Sequence, residues 1–245
     1  MRKKLIIMNS TSNEIQKYFE LVDKEKLLSQ YPRLSILPGK SAAILIGLIR
    51  DKNLSMKDFR LYSGRLIRLL LEEAMASQCE KEIIKESPLG QYKTFEIPKE
   101  EDFIGVSILR SGNAMAKEYA NIFPNSSIGT ILMQRNEKSE KKEHILFYEK
   151  FPKDLSSKKI ILMDPMLATG GSCLATIDIF IEKGVKQEDI LFVNIISAVE
   201  GIETIFKKYP NIKMITAQVD PILLPNKYIA PGLGDFGDRF FGTVE

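Results

Sequence analysis

Residues 158–184, KKIILMDPMLATGGSCLATIDIFIEKG, decide how this chain folds. The apolar run KKIILMD (158–164) has the length and composition of a buried strand, and CLATIDIFIEKG (173–184) has the spacing of an amphipathic helix. Between them lie an acid, a proline, a threonine, two glycines and a serine, which is the chemistry of a tight strand-to-helix turn. The same alternation spreads in both directions. Upstream come IGVSIL, NAMAKEYANIF and IGTILMQ; downstream come DILFVNIISA, GIETIFKKY and IKMITAQ. Near-continuous apolar strands alternating with helices imply βαβ units. The expected fold is therefore α/β and doubly wound, a mostly parallel sheet with helices on both faces.

Ahead of this body the patterns are shorter. Residues 1–30 read as an N-terminal arm or helix, and 31–245 as a single domain. YPRLSILPG (31–39), bracketed by Pro32 and Pro38, suits an extended segment, and AAILIGLIRD a short apolar helix. Ser55 followed by Asp58 resembles a capping box, and Phe59, Tyr62, Leu66, Leu70 and Ala74 recur at helical spacing, so 56–77 reads as a long amphipathic helix. QYKTFEI (91–97) reads as a strand, a hairpin partner for the segment at Ile83 and Ile84. NEKSEKKEH (136–144) reads as a charged surface loop holding His144, the only histidine.

Composition narrows the function. With 35 Lys and Arg against 32 Asp and Glu, the net charge of +3 is too balanced for a nucleic-acid-binding surface, so an anionic ligand should be small and locally held. One histidine excludes a histidine triad or a multi-histidine metal site. Cys79 and Cys173 have no C-x-x-C neighbour, which argues against a disulfide framework or zinc and for a reducing compartment. The apolar run near the start is too short for a signal-peptide core, and no window reaches about 18 uninterrupted apolar residues, so the expectation is a cytoplasmic protein without a membrane span.

In open α/β sheets the ligand lies beyond the carboxyl ends of the strands. That rule selects Arg110-Ser111-Gly112, Gln134-Arg135-Asn136, Asp164 to Ser172, and the glycine-rich tail APGLGDFGDR. In ATGGS the glycines let backbone N–H groups converge and the following helix adds its positive dipole end, a nest that suits phosphate. Thr169 and Ser172 add hydroxyls, and Asp164 can accept from sugar hydroxyls. The triphosphate-loop lysine and the G-x-G-x-x-G order are both missing, so a phosphorylated sugar is the better ligand.

D-P-M-L-A-T-G-G-S (164–172) resembles the phosphoribosyl diphosphate (PRPP) motif of the uracil phosphoribosyltransferases, within the type I phosphoribosyltransferases. Y-I-A-P-G-L-G-D-F-G-D-R (228–239) resembles their uracil-binding segment, S-I-L-R-S-G (107–112) their I-L-R-A-G, and Q-R-N-E (134–137) their arginine block. The resemblance runs from about Leu34 to the C-terminus. It implies transfer of ribose 5-phosphate from PRPP to N1 of uracil, giving UMP and diphosphate in pyrimidine salvage. It places PRPP on Asp164, Pro165, Met166, Leu167, Ala168, Thr169, Gly170, Gly171 and Ser172, with Arg110 and Arg135 on the diphosphate. It places uracil on Tyr228, Ile229, Gly234, Asp235 and Phe236, within a hood of about 219–240. Asp235 also reaches the ribose side, and Arg110, Arg135 and Asp235 form the catalytic set. A loop of about 136–150 would close over PRPP. Mg²⁺ would arrive mainly through PRPP, with no protein ligand assigned.

The resemblance also implies a homodimer or homotetramer, and carries GTP as a candidate effector because purine-nucleotide control occurs in parts of the family. This chain departs from the pattern at Ser111, where alanine is usual, at 220–227, and at Asp164-Pro165, where many phosphoribosyltransferases have two adjacent acids. A catalytically weak or regulatory homologue, binding UMP, RNA or a uridine kinase partner, is the alternative reading.

Overall fold

The computed structural model describes residues 22–135 and 144–243. Its first helix, α1 (Lys24–Gln30), is capped by Asp23, whose carboxylate accepts from the Lys26 N–H at 3.0 Å. Leu27 on α1 is buried, and Tyr31 stacks on Phe206 with ring centroids 5.1 Å apart. Leu27, near the end of the expected arm, is thus packed into a core with residues of the main body. Residues 1–21 of the arm lie outside the described residues.

The extended segment supplies β1 (Leu34–Ile36), and the apolar helix is α2 (Lys40–Arg50). The long helix is α3 (Met56–Ala76), started as its sequence suggests: the Asp58 N–H donates to Ser55 Oγ at 3.1 Å, and Ser55 Oγ donates back to the Asp58 carboxylate at 2.7 Å. Its buried stripe of Phe59, Leu66, Ile67, Leu70, Leu71 and Ala74 recurs at three and four residues, so one face enters the core. The strands β2 (Glu82–Ser87) and β3 (Gly90–Phe95) form a separate two-stranded hairpin in which Ile83 faces Thr94 and Ile84 faces Lys93.

The main sheet follows. Its elements in chain order are β4 (Phe103–Leu109), α4 (Asn113–Ile122), β5 (Ser127–Arg135), β6 (His144–Lys150), β7 (Lys159–Met163), β8 (Met166–Leu167), α5 (Gly171–Glu182), β9 (Ile190–Ala198), α6 (Val199–Lys208) and β10 (Lys213–Asp220). The strand order is β1-β10-β9-β7-β4-β5-β6, with β8 also paired to β9, and every pairing but β5 with β6 is parallel. Strand alternation sends Ile161 and Met163 of β7 into a core with α2, α3 and α4, and Ile160 and Leu162 into a second core with α5 and α6. Both faces are covered, which explains why these strands read as unbroken apolar runs.

The expected loop over 136–150 is shorter than its sequence suggested. From His144 onward the backbone pairs antiparallel with β5, running from Arg135 opposite His144 to Thr130 opposite Lys150. HILFYEK can satisfy the otherwise open hydrogen-bonding edge of β5, which outweighs the polar character of the residues before it. Residues 136–143 lie outside the described residues. The chain ends in β11 (Ile222–Leu223) and β12 (Ile229–Ala230), a small antiparallel pair, followed by the short helix α7 (Phe236–Phe241).

The chain leaves β4 through α4 toward β5, and leaves β7 through α5 toward β9, in opposite directions across the sheet. The carboxyl ends of β4 and β7 therefore flank the switch point, where a crevice must open.

Candidate active site

Asp164 follows β7 at that crevice. Its N–H donates to the Val193 carbonyl at 3.3 Å, and the Pro165 carbonyl accepts from the N–H groups of Ile195 at 3.0 Å and Ile196 at 3.1 Å. Met166 and Leu167 then pair with Ile196 and Ser197 as β8. Proline is accommodated because the loop is fastened through the carbonyl of residue 165, so the N–H that proline lacks is not needed for the anchor. Gly170 turns the chain at φ 82° and leads into α5 at Gly171. The first-turn N–H groups of α5, around Gly171 and Ser172, have no partner within their own helix and face the same end as its positive dipole.

Two glycines in the surroundings are dictated by close approach. A Cβ on Gly112 would stand 2.4 Å from the Met163 carbonyl, so the loop after β4 can lie against the end of β7 only with glycine there. A Cβ on Gly201 would stand 2.6 Å from the Ala168 carbonyl, so α6 backs the 164–172 turn directly. The first contact brings Ser111 to Asp164: its hydroxyl donates to the Asp164 carboxylate at 2.9 Å.

Burial pushes the Asp164 carboxyl up to about 7, and the nearby Asp235 charge adds to the rise; the Ser111 hydroxyl and the Met166 backbone work against it. Part of Asp164 still opens to a cavity, but dense protein on its other sides makes desolvation the dominant cause.

That cavity is about 300 Å³ and brings Asp164, Met166 and Ala168 against Tyr228, Ile229 and the 234–237 segment. Gly234, Asp235 and Phe236 therefore face the loop across one space. Phe236 is almost wholly buried, its ring packed on Phe59 and stacked on Phe240, while Tyr228 is half exposed. Asp235 caps α7, accepting from the Asp238 N–H at 2.9 Å. A larger cavity of about 590 Å³ lies behind the same segment. Its guanidinium groups are committed to the protein, Arg50 to Asp220 and Arg239 to backbone carbonyls, so the smaller cavity is the candidate site.

Arg110 is not brought into that cavity. Its guanidinium reaches across the outside of the crevice to Asp238 at 2.5 Å and to the Thr243 hydroxyl at 3.0 Å. The Thr243 hydroxyl and then Arg110 hold the Asp238 carboxyl below its usual range. Arg135 is the last residue of β5.

Sequence reasoning missed the side chains that hold the tail in place. Arg50 at the end of α2 forms a two-bond ion pair with the buried Asp220 at 2.8 and 2.5 Å and donates to the Gly232 carbonyl at 2.7 Å. Asp220 in turn accepts from the Gly232 N–H at 2.8 Å. Arg239 donates to the carbonyls of Ile49, Leu233 and Asp51 at 2.5–2.6 Å, and its guanidinium lies 4.3 Å over the Phe59 ring. Arg239 fell within the glycine-rich tail motif, but its sequence context carried no hint of partners about 190 residues away.

A phosphate-type turn facing a bent, glycine-rich tail across one cavity is the arrangement on which the comparison with known proteins bears. The family model described as "Uracil phosphoribosyltransferase" matches residues 36–243. The chain belongs to the uracil phosphoribosyltransferase family. Among members of that family, the uracil phosphoribosyltransferase of Saccharomyces cerevisiae is 40% identical over 213 residues, covering 86% of this chain and 97% of the yeast protein. That of Dictyostelium discoideum is 38% identical over 202 residues, 82% of this chain and 92% of its own. A solved protein of Aquifex aeolicus superposes with a TM-score of 0.72 at 27% identity, over 85% of this chain and 97% of that one. The family match, from Ile36 to Thr243, spans every residue that lines the candidate site.

Proposed function

We infer that this protein transfers the 5-phosphoribosyl group of PRPP to uracil, releasing diphosphate and forming UMP. Uracil N1 bonds to C1′, the C1′–O bond breaks with its electron pair leaving on diphosphate, and the N1 proton is lost. One observation carries this reading: a single cavity sets Asp164 and Ala168 against Ile229, Gly234 and Asp235. A sugar held by the loop thereby meets a planar base held by the tail.

In this assignment the N–H groups from Ala168 to Ser172 hold the 5′-phosphate, and Asp164 accepts from the ribose hydroxyls. Uracil offers an acceptor, donor, acceptor edge that backbone groups of the 229–236 segment can meet without side-chain interference at Gly234. Negative charge grows on the leaving diphosphate, so cations fixed nearby favour the transition state over the ground state. Arg110 and Arg135 are assigned that task. The pair of Arg110 with Asp238 is exposed, and such pairs exchange readily for a doubly hydrogen-bonded phosphate.

Mg²⁺ is proposed to arrive on PRPP. A hard, hydrated cation bridges phosphate oxygens with few protein ligands. When bound, it would neutralise diphosphate charge. Both cysteines are free thiols, which supports a reducing, cytoplasmic setting, and no described helix is long and apolar enough to cross a membrane. A homodimer or homotetramer is proposed, supported by the exposed Ile84, Leu89 and Phe95 of the β2–β3 hairpin, since a lone hairpin is marginal in water. GTP control remains a proposal from the family resemblance, tested by adding GTP to the same assay.

The test mixes purified protein with PRPP, Mg²⁺ and, separately, uracil, orotate, hypoxanthine and adenine. UMP should form from uracil alone; no UMP would overturn the reading. Asp235→Ala should raise KM for uracil and Arg135→Ala KM for PRPP, and equal mild effects would overturn these roles.

A further inference from the structure

The cavity that sets Asp164 against the tail carries two carboxylates, Asp164 and Asp235, and a single cation among its described lining residues, Lys227. Lys227 has had no role so far. It sits in the turn joining β11 to β12, immediately before Tyr228 and Ile229, and it is exposed. Its backbone stands at φ 71°, the only left-handed non-glycine residue among those described.

A lysine there costs backbone free energy that a glycine would not, because its Cβ crowds the following carbonyl. The turn itself does not call for lysine. It is closed by backbone bonds, Lys227 N–H to the Leu224 carbonyl and Leu224 N–H to the Tyr228 carbonyl, both 2.8 Å, and by the Tyr228 N–H donating to Asn226 Oδ1 at 3.2 Å. Among the described residues the Lys227 ammonium has no salt-bridge partner, in contrast to Arg50 and Arg110. A costly conformation, a charge without a salt-bridge partner among the described residues and a place on the cavity wall coincide at one residue, and backbone strain of this kind clusters at ligand sites.

We propose that Lys227 is the cation of the base site, offsetting the negative charge that uracil acquires on N1, O2 and O4 as its N1 proton leaves. The inference rests on the transfer to uracil proposed above. The freed N1 pair forms the bond to C1′, the C1′–O pair departs on diphosphate, and the N1 proton passes to water; the ammonium keeps its own protons throughout. Two carboxylates facing a base that is becoming an anion would oppose this step. An ammonium on the same wall offsets part of that opposition, with greatest effect where the negative charge on the base is greatest.

The closing experiment compares uracil with the more acidic 5-fluorouracil at saturating PRPP, in the parent protein and in Lys227→Gln, Lys227→Gly and Lys227→Arg. Lys227→Gln and Lys227→Gly should lose on the order of tenfold or more in kcat/KM with uracil, but only about threefold with 5-fluorouracil, which sheds its proton without as much help. Lys227→Arg keeps the charge and should stay within about threefold of the parent. Lys227→Gly relieves the left-handed strain, so its Tm should equal or exceed the parent's while its activity falls. A purely structural turn residue would move Tm and both bases together. Equal losses with the two bases, an arginine variant as poor as glutamine, or a defect confined to KM for PRPP would overturn the proposal. A parent that makes no UMP defeats the transferase reading; a parent that makes UMP with a Lys227→Gln variant indistinguishable from it defeats only this inference.

Discussion

At the scale of the residue, Asp164 joins fold to chemistry. Its carboxyl is pushed up to about 7 chiefly by burial, so the native protein binds that proton more tightly than the unfolded chain does. The stability it contributes is therefore present at low pH and declines as pH rises from its ordinary value of 3.8 toward 7. Activity should run the other way. In the role proposed for Asp164, a carboxylate that becomes neutral as pH falls through about 7 accepts less well from ribose hydroxyls, so kcat/KM for PRPP should drop. Asp164→Asn should abolish that inflection and lower the plateau on the order of 10²-fold, while raising Tm at pH 8, where the parent carries a buried charge. A pH–rate profile beside a melting curve checks both signs. Ser111 donates to the charged form at 2.9 Å, so Ser111→Ala should shift the acidic limb to higher pH. A limb that stays in place would show that Ser111 merely fills space. Asp164 was legible in the sequence from its place after an apolar strand. The serine that tunes it was visible only as a departure from the usual alanine, because its partner lies 53 residues away.

At the scale of the element, the glycine-rich tail is a short irregular stretch made firm from outside. The 228–239 tail has two residues in β12 and little regular structure before α7, so its own hydrogen bonds cannot hold a shape. Arg50 and Asp220 clamp Gly232 to the ends of α2 and β10, and Arg239 ties α7 to the α2–α3 turn. Arg50→Ala would leave Asp220 buried without its counter-charge, which costs about 3–5 kcal/mol, or on the order of 10 °C in Tm for a chain of this length. The looser tail should also raise KM for uracil more than KM for PRPP. Calorimetry with steady-state kinetics tests this; a stable variant with unchanged uracil use would mean the clamp is dispensable. Helices α2 to α6 and strands β4, β5, β7, β9 and β10 were readable in advance, down to the Ser55 cap and the pairing of Ile83 and Ile84 with the 91–95 strand, whereas β8, β11, β12 and α7 were not. The strand from His144 was not, since whether an apolar run pairs or stays a loop depends on an open edge next to it.

At the scale of the whole molecule, the site is assembled from the carboxyl ends of β4 and β7, the hood and, through Arg50 and Arg239, the end of α2 and the α2–α3 turn. A ligand bridging these parts should stabilise them as a unit. PRPP with Mg²⁺ at a hundred times its Kd should add about 2.7 kcal/mol, which is about 5–10 °C in Tm, in a single unfolding transition. Differential scanning calorimetry would show it; an unchanged Tm would mean PRPP does not bind the native fold. By itself the sequence determined the α/β class and the strand-turn-helix at 158–184, since each is written in neighbouring residues at periods of two or 3.6, while its ordered motifs carried the resemblance to the family. The tertiary structure alone decided which strands adjoin. It placed Ser111 on Asp164, Arg50 on Asp220 and Gly201 behind Ala168, turned Arg110 toward Asp238, and put Lys227 on the wall of the cavity shared by Asp164 and the tail. The physical reason is that local periodicity fixes which face of an element is apolar, whereas partners 53 to 190 residues apart meet only once strand order and packing are settled.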